Sequence, residues 1–197
     1  MGADSELFKS FDSYFENVGK VLNSISREKP NIIKSIKTII SSLEFGGTVF
    51  WCGNGGSAAD SQHLAAELVG RFKMNRPPLK SIALTTDTSI LTAIANDYAF
   101  DQVFSRQVQA LGRRNDVLVG ISTSGSSENV INAFKIAKEL QITTISFTGS
   151  IPNALANMSD INVAVPSIET NHIQEFHIMI GQLICGQVER EIFGSGT

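Results

Sequence analysis

The sequence predicts an α/β protein: a five-stranded parallel sheet flanked by helices, with an N-terminal helical extension. Three observations lead to this prediction. Residues 1–45 carry apolar side chains at helical spacing. From Thr48 onward, short apolar segments rich in β-branched residues alternate with helical stretches, which is typical of βαβ units. Hydrophobic residues make up 42% of the 197 residues, enough to bury the core of one domain.

Two amphipathic helices are predicted in residues 1–45. The first contains LFKSFDSYFENVGKVLNSI, with apolar residues every three or four positions. The second, NIIKSIKTIISSLEFGG, follows a break at Pro30 and ends at Gly46 and Gly47. One sheet does not need two long helices before its first strand. We therefore expect residues 1–45 to form an oligomer interface and residues 46–197 to form the sheet-containing domain of the same structural unit.

The five predicted strands are TVFWC, SIALT, VLVGI, TTISF and INVAV. A long final helix is predicted from about Thr170 to Phe193. In parallel sheets of this kind, ligands bind beyond the carboxyl ends of the strands, at helix N-termini. We therefore expect the functional site at that edge of the sheet.

Composition and charge argue against several classes of protein. A formal net charge of −3 without basic clusters argues against nucleic-acid binding. The sequence contains no apolar stretch of the roughly 18 residues that a membrane span needs, and the N-terminus does not resemble a signal peptide. We expect a cytoplasmic protein with no membrane partner. Cys52 and Cys185 are expected to be buried free thiols rather than a disulfide.

A glycine-rich loop, GNGGSAAD, follows the first predicted strand. Gly53, Gly55 and Gly56 allow a tight turn and a close approach of the backbone to a ligand. The loop formally matches a dinucleotide-binding motif, but the acidic residue expected about 20 positions later is missing. The loop also lacks the lysine of a nucleoside-triphosphate site. Both of these nucleotide classes are therefore disfavoured.

The segment ISTSGSSENV, at the end of the third predicted strand, is rich in hydroxyl groups. They belong to Ser122, Thr123, Ser124, Ser126 and Ser127. Hydroxyls and free N–H groups at the start of a helix can bind an anion without Lys or Arg. Ser and Thr also occur in ordinary turns and helix N-caps, but a single cap needs fewer hydroxyls. The segment therefore predicts a phosphate site.

The helix predicted after the glycine loop carries His63 and Glu67 one turn apart, so their side chains can meet. This spacing suits a pair of metal ligands or a general base with its neighbour. It also occurs in surface His–Glu pairs that contribute only a few tenths of a kcal/mol. The position beside a glycine loop, at the carboxyl end of a strand, favours a functional role.

Five segments together resemble the bacterial phosphoheptose isomerases, a family of the sugar isomerase (SIS) domain group. They are CGNGGSAADSQH, LTTDTSILTAIANDYAF, FSRQVQALG, ISTSGSSENV and IQEFH, and they lie in the family's order between about residues 46 and 193. The resemblance implies a three-layer sandwich that assembles as a homotetramer with active sites between subunits. It also implies isomerisation of sedoheptulose 7-phosphate to D-glycero-D-manno-heptose 7-phosphate through an enediol. That reaction begins ADP- or GDP-heptose synthesis for lipopolysaccharide or capsule.

The resemblance also implies the roles of individual residues. It makes Glu67 the acid–base carboxylate, and it implies a zinc site formed by His63, Glu67, Gln174 and a further histidine on the last helix. The substrate-binding positions that it implies are Asn54, Gly55, Gly56, Glu67, Asn96, Asp97, Ser122, Thr123, Ser124, Ser127 and Gln174.

The chain departs from the family at Gln182, which stands where the catalytic and zinc-binding histidine is expected. Glutamine does not titrate and is a poor zinc ligand beside imidazole, so we expect weak zinc binding and slow turnover. His177 points away from position 182 on an ideal helix. His172, at the start of the last helix, could approach the site from the loop.

Two other functions remain open at this point. Some relatives in the SIS group have lost catalysis and act as binding proteins, including a partner of the bacterial replication initiator. In them the carboxylate matching Glu67 is gone, whereas this chain retains it beside His63, which favours an enzyme. An isomerase for a different sugar phosphate is the second alternative, because the depth of a pocket cannot be read from sequence.

Overall fold

A computed structural model describes residues 2–194 of the chain. Met1 and residues 195–197, the last three positions of the predicted 46–197 domain, lie outside the described residues. The helices are α1 (Gly2–Ser24), α2 (Lys29–Glu44), α3 (Gly56–Val69), α4 (Thr88–Asp97), α5 (Ser105–Leu111), α6 (Glu128–Glu139), α7 (Ala154–Met158) and α8 (Thr170–Phe193). The strands are β1 (Val49–Gly53), β2 (Ser81–Ala83), β3 (Val117–Ile121), β4 (Thr143–Gly149) and β5 (Ile161–Val165).

Within residues 2–194 the strands form one five-stranded sheet, parallel throughout, in the order β2-β1-β3-β4-β5. This confirms the predicted fold class. Val49 of β1 lies opposite Val117 of β3, and Gly53 lies opposite Ile121, so the two strands end level with each other. The strand order changes direction between β1 and β3, which is where open parallel sheets bind ligands. The glycine loop and the hydroxyl-rich loop both begin at this point.

Two apolar cores cover the two faces of the sheet. Trp51 packs with Leu64 of α3 on one face, where α2 and α8 also lie. Phe50 packs with Phe134 of α6 on the other face. The alternation along β1 arises because successive side chains of a strand point to opposite faces. β1 and β3 are buried along their whole length, as expected for parallel strands covered on both sides.

Two local predictions were wrong in detail. Pro30 does not mark the break between the first two helices, because it lies in the first turn of α2, where the missing N–H does no harm. A 3₁₀ helix, Ile25–Glu28, separates α1 from α2 instead. The second strand ends at Ala83 rather than at Thr85.

The N-terminal helices differ in how much of their apolar surface is covered. α2 buries Ile32 and Ile39 in the core that it shares with α8. α1 leaves Phe8, Phe11 and Phe15 more than half exposed. The proposed interface role of residues 1–45 therefore depends chiefly on α1, and it stays a prediction.

Cys52 and Cys185 are buried free thiols, as predicted. Burial raises the pKa of the Cys185 thiol to about 12. Across residues 2–194, none of the helices is both long and apolar enough to cross a membrane.

Candidate active site at the carboxyl edge of the sheet

The loop between β3 and α6 is organised around its own hydroxyl groups. Ser122 Oγ lies 3.0 Å from Ser127 Oγ and accepts a hydrogen bond from Gly125 N at 3.1 Å. Gly125 has a φ of +64°, which favours glycine. Ser127 occupies the N-cap position of α6, but its side chain makes no capping hydrogen bond. Capping therefore does not account for its hydroxyl, which instead lies beside that of Ser122 at the start of α6.

The glycine loop is held beside this hydroxyl-rich loop. Asn54 Nδ2 donates to Asn129 Oδ1 at 2.8 Å, and Asn129 Nδ2 donates back to Asn54 Oδ1 at the same distance. Gly55 has a φ of +54° and lets the chain turn into α3. Asn129 belongs to α6, so this amide pair joins the starts of α3 and α6. Sequence reasoning missed Asn129, although it lies within the quoted ISTSGSSENV segment.

α3 and α8 run side by side in the same direction and carry most of the remaining candidate residues. A Cβ atom added to Gly181 would lie 2.5 Å from Leu64 Cδ1, so the glycine allows the helices to approach closely. His63 Nε2 lies 3.1 Å from Glu67 Oε1 and 3.1 Å from Gln182 Nε2. The structure thus gathers His63, Glu67 and Gln182 at one place.

One nitrogen of His63 serves both neighbours. With a proton on Nε2, His63 donates to the Glu67 carboxylate. Without that proton, Nε2 accepts a hydrogen bond from the Gln182 amide. His63 can therefore exchange a proton with the Glu67 carboxylate through Nε2.

Gln174 lies nearer the start of the helix pair. A Cβ atom added to Gly56 would lie 1.8 Å from Gln174 Nε2, so Gln174 packs directly on the glycine loop. Gln174 Nε2 also lies 3.5 Å from Asp60 Oδ2. Gln174 and Gln182 are eight residues apart on α8, and their backbones are therefore separated by about 12 Å. The structure thus places Gln174 beside Asp60 and Gln182 beside His63, and the four-residue metal site stays a prediction.

Asp60 was missed by sequence reasoning, although it lies three residues before His63 and on the same face of α3. Burial raises the pKa of the Asp60 carboxyl, while the Gln174 amide and His63 oppose that rise. The spacing of Asp60, His63 and Glu67 is the signal that could have identified it.

The donors at this place do not make a conventional zinc site. In the part of the chain that the structure describes, no three side chains of His, Cys, Asp or Glu come close enough together to hold a metal ion. His63 and Glu67 are two suitable donors, but their neighbour Gln182 offers only an amide, which is a poor ligand for zinc. Zinc chemistry therefore has too few protein donors here for a reaction step to be assigned to it.

The other candidate residues lie apart from this cluster. Asn96 and Asp97 are exposed at the end of α4, where Asn96 Nδ2 donates to Asp97 Oδ1 at 2.8 Å. His172 Nδ1 lies 3.1 Å from Glu175 Oε2, so His172 is engaged away from position 182. His177 is buried with Nε2 3.1 Å from Thr148 O, and burial lowers its pKa to about 4. Neither histidine takes the place expected of a histidine at 182.

Comparison with known proteins agrees with the fold and identifies the family. Residues 13–149 match the SIS domain family. A phosphoheptose isomerase of Akkermansia muciniphila is 53% identical over 152 residues, covering 77% of this chain and 80% of the relative. A phosphoheptose isomerase of Aliarcobacter butzleri is 48% identical over 95% of this chain and 98% of its own length. The solved structure of a phosphoheptose isomerase from Francisella tularensis has a TM-score of 0.90 and 40% identity, covering 93% of this chain and 98% of that one. The chain therefore belongs to the phosphoheptose isomerase family of SIS-domain proteins.

Proposed function

We propose that the chain is an aldose–ketose isomerase that converts sedoheptulose 7-phosphate to D-glycero-D-manno-heptose 7-phosphate through an enediol. The names of its relatives support a phosphorylated heptose as the substrate. The observation that carries the proposal is the His63–Glu67 pair, which lies on the helix that starts beside the hydroxyl-rich loop.

The phosphate binds at the hydroxyl-rich loop. Ser122, Ser124 and Ser127 donate hydroxyl hydrogen bonds, and the first N–H groups of α6 add the favourable end of the helix dipole. Thr123 lies in the same loop and contributes its backbone. Asn54 and the two glycines after it form the opposite wall, where the absence of side chains lets the substrate approach the backbone.

The length of α3 favours a long sugar phosphate. Glu67 follows Gly56 by 11 residues, which is about 16 Å along the helix axis. Side chains lean towards the N-terminus of a helix, so the Glu67 carboxylate lies somewhat nearer the phosphate loop than its backbone does. A seven-carbon sugar suits this separation better than a triose. Turnover of sedoheptulose 7-phosphate compared with ribulose 5-phosphate and dihydroxyacetone phosphate tests this length preference.

Glu67 acts as the base that removes a proton from C1 and returns one to C2. His63 exchanges protons with the substrate oxygens, because its Nε2 lies beside the carboxylate. The Gln174 amide and nearby N–H groups stabilise the developing enediolate oxygen. The Gln182 amide orients a water beside His63. Gln182 does not titrate, so the second proton transfer passes through His63 or water and turnover is slow.

We propose that zinc binds weakly, through His63 and Glu67, because the histidine that would be the third strong donor is replaced by Gln182.

Apolar residues of α1 form the interface of a homotetramer, since Phe8, Phe11 and Phe15 are exposed in the single chain. A cytoplasmic location is supported by two buried free thiols. The product would enter lipopolysaccharide or capsule synthesis.

The alternative is a catalytically weakened binding protein of the SIS group, and Gln182 is the observation in its favour. The retained His63–Glu67 contact of 3.1 Å favours an enzyme. Incubation of the purified protein with sedoheptulose 7-phosphate decides between them. Product formation supports the isomerase, whereas binding of the sugar phosphate without turnover supports the alternative.

A further inference from the structure

Arg76 is a buried cation at the end of the helix that carries Glu67. Its side chain is 2% exposed and lies in the segment between α3 and β2. Arg76 Nη2 donates to the backbone oxygen of Glu67 at 2.8 Å, and Nη1 donates to the backbone oxygen of Leu68 at 2.7 Å. The guanidinium therefore binds the last turn of α3 directly, including the backbone of the proposed base.

These contacts complete the end of the helix. The last four carbonyl groups of an α-helix have no donor within the helix. A cation near them is also favoured by the helix dipole. The planar guanidinium of Arg76 reaches two of these carbonyls and, through Nε, the Glu189 carboxylate at 3.1 Å. A lysine, with a single charged nitrogen, cannot make all of these contacts in one geometry.

Glu189 fixes this arrangement to α8. Its carboxylate accepts hydrogen bonds from the backbone N–H groups of Phe72, Lys73 and Met74, at 2.8, 2.7 and 2.8 Å. Burial alone would raise the pKa of the Glu189 carboxyl, but those N–H groups and Arg76 outweigh it and lower the pKa. The carboxylate is therefore charged at neutral pH. α8 also carries Gln182, two turns before Glu189.

We propose that Arg76 is a positioning residue for the isomerisation, which rests on the proposed function of Glu67 as the base. Arg76 and Glu189 hold the last turn of α3 against α8, so Glu67 and Gln182 stay on either side of His63. Nearer their N-termini, the two helices are in contact at Leu64 and Gly181. The Arg76–Glu189 pair is the ion pair that joins the Glu67 end of α3 to α8.

A purely structural role for the pair would lower the stability of the variants without a selective loss of kcat per folded protein. Buried ion pairs can be replaced with little loss of stability, and breaking one destabilises a protein wherever it lies. A positioning role predicts a loss of kcat at constant KM, because the phosphate loop is untouched. Misplacement of a reacting group by about 1 Å can cost about a hundredfold in rate.

The test compares Arg76→Lys and Glu189→Gln with the wild type and with a matched control, Asp116→Ala. Asp116 is a buried carboxylate that accepts hydrogen bonds from Thr48 N and Arg113 N at the opposite edge of the sheet. Kinetics of sedoheptulose 7-phosphate turnover are measured per folded protein, with thermal unfolding of each variant. We expect kcat of Arg76→Lys to fall at least tenfold with KM within twofold. Glu189→Gln, which keeps an acceptor for the N–H groups, should fall less.

Hydrogen exchange gives a second readout that does not need turnover. Amides of residues 64–70 should exchange at least tenfold faster in Arg76→Lys, whereas amides of residues 56–60 should not change. An Arg76→Lys variant with wild-type kcat, or an Asp116→Ala control that loses as much kcat, would overturn the positioning role. A wild type that turns over no sugar phosphate would overturn the proposed function as well. These results are distinguishable because the wild type is measured first.

Discussion

The replacement Gln182→His asks whether position 182 limits the chemistry. Gln182 is half-buried, with Nε2 3.1 Å from His63 Nε2. His63 in turn lies 3.1 Å from the Glu67 carboxylate. A histidine at 182 would add a titrating group and a third strong metal donor at this place. Glutamine and histidine are similar in length, so the fold should tolerate the change.

The size of the effect follows from the exposure of the site. A positioned general acid or base typically contributes about 10²–10⁴ in rate. The His63 side chain is 47% exposed, so water already reaches the cluster and can transfer protons in place of a missing group. We therefore expect a gain near or below the lower limit, about 10- to 100-fold in kcat, which corresponds to about 1.4–2.7 kcal/mol in the barrier. Zinc affinity should rise in the same variant.

The assay measures conversion of sedoheptulose 7-phosphate and zinc content for four proteins: wild type, Gln182→His, Glu67→Gln and the double variant. Glu67→Gln should abolish turnover in both backgrounds, because it removes the base and keeps its shape. Leu183→His is the matched control, since it adds an exposed histidine one position along the same helix. A wild type as fast as Gln182→His would refute the reasoning. No turnover by either protein on several sugar phosphates would favour the binding-protein alternative.

Four further outcomes are expected. Replacing the three serines at 122, 124 and 127 by Ala should raise KM for the sugar phosphate well over tenfold, with a smaller effect on kcat. The reason is that each charge-assisted hydrogen bond to the phosphate contributes about 1.5–3 kcal/mol. An unchanged KM would contradict the phosphate site. Gly56→Ala should lower turnover without unfolding the protein, because its Cβ would lie 1.8 Å from Gln174 Nε2; circular dichroism and kcat measured together check this. Sedimentation at micromolar concentration should give a tetramer, and a species near 21.3 kDa would contradict it. Burial lowers the pKa of His177 to about 4, so between about pH 6.5 and 4 only the unfolded state takes up a proton at this histidine. The free energy of unfolding should therefore fall by about 3 kcal/mol as the pH is lowered through this range. Denaturant titrations of wild type and His177→Gln check the difference.

The parts of this protein that sequence predicted well are those set by short-range patterns. Strand and helix periodicity gave the alternation of elements, and the parallel arrangement of the strands predicted that the glycine loop and the hydroxyl-rich loop begin at the same edge of the sheet. The contact between His63 and Glu67 follows from a separation of one helical turn. The hydroxyl density of the Ser122–Ser127 loop is likewise a local feature of the chain. The resemblance to the family then predicted catalytic and binding roles for individual residues, which the spacing of residues along the chain does not give.

The parts that sequence did not predict depend on contacts between distant segments. Asn54 and Asn129 are 75 residues apart, and Arg76 and Glu189 are 113 apart. No periodicity links such pairs, and a polar side chain looks the same in sequence whether it is solvated or buried. Their partners become visible only when the sheet places two loops together or when α3 and α8 pack.

The packing of α3 on α8 also explains how a family member can carry Gln182 and keep its fold. The separation of the two helices is set by Leu64 against Gly181 and by the Arg76–Glu189 pair, and none of these contacts involves the side chain at 182. Position 182 is therefore brought to His63 whatever residue it carries. A change there alters proton transfer and metal affinity while the strands, the phosphate loop and the helix pair remain in place. The four-protein comparison at positions 67 and 182 therefore measures changes in the chemistry on a fold that stays the same.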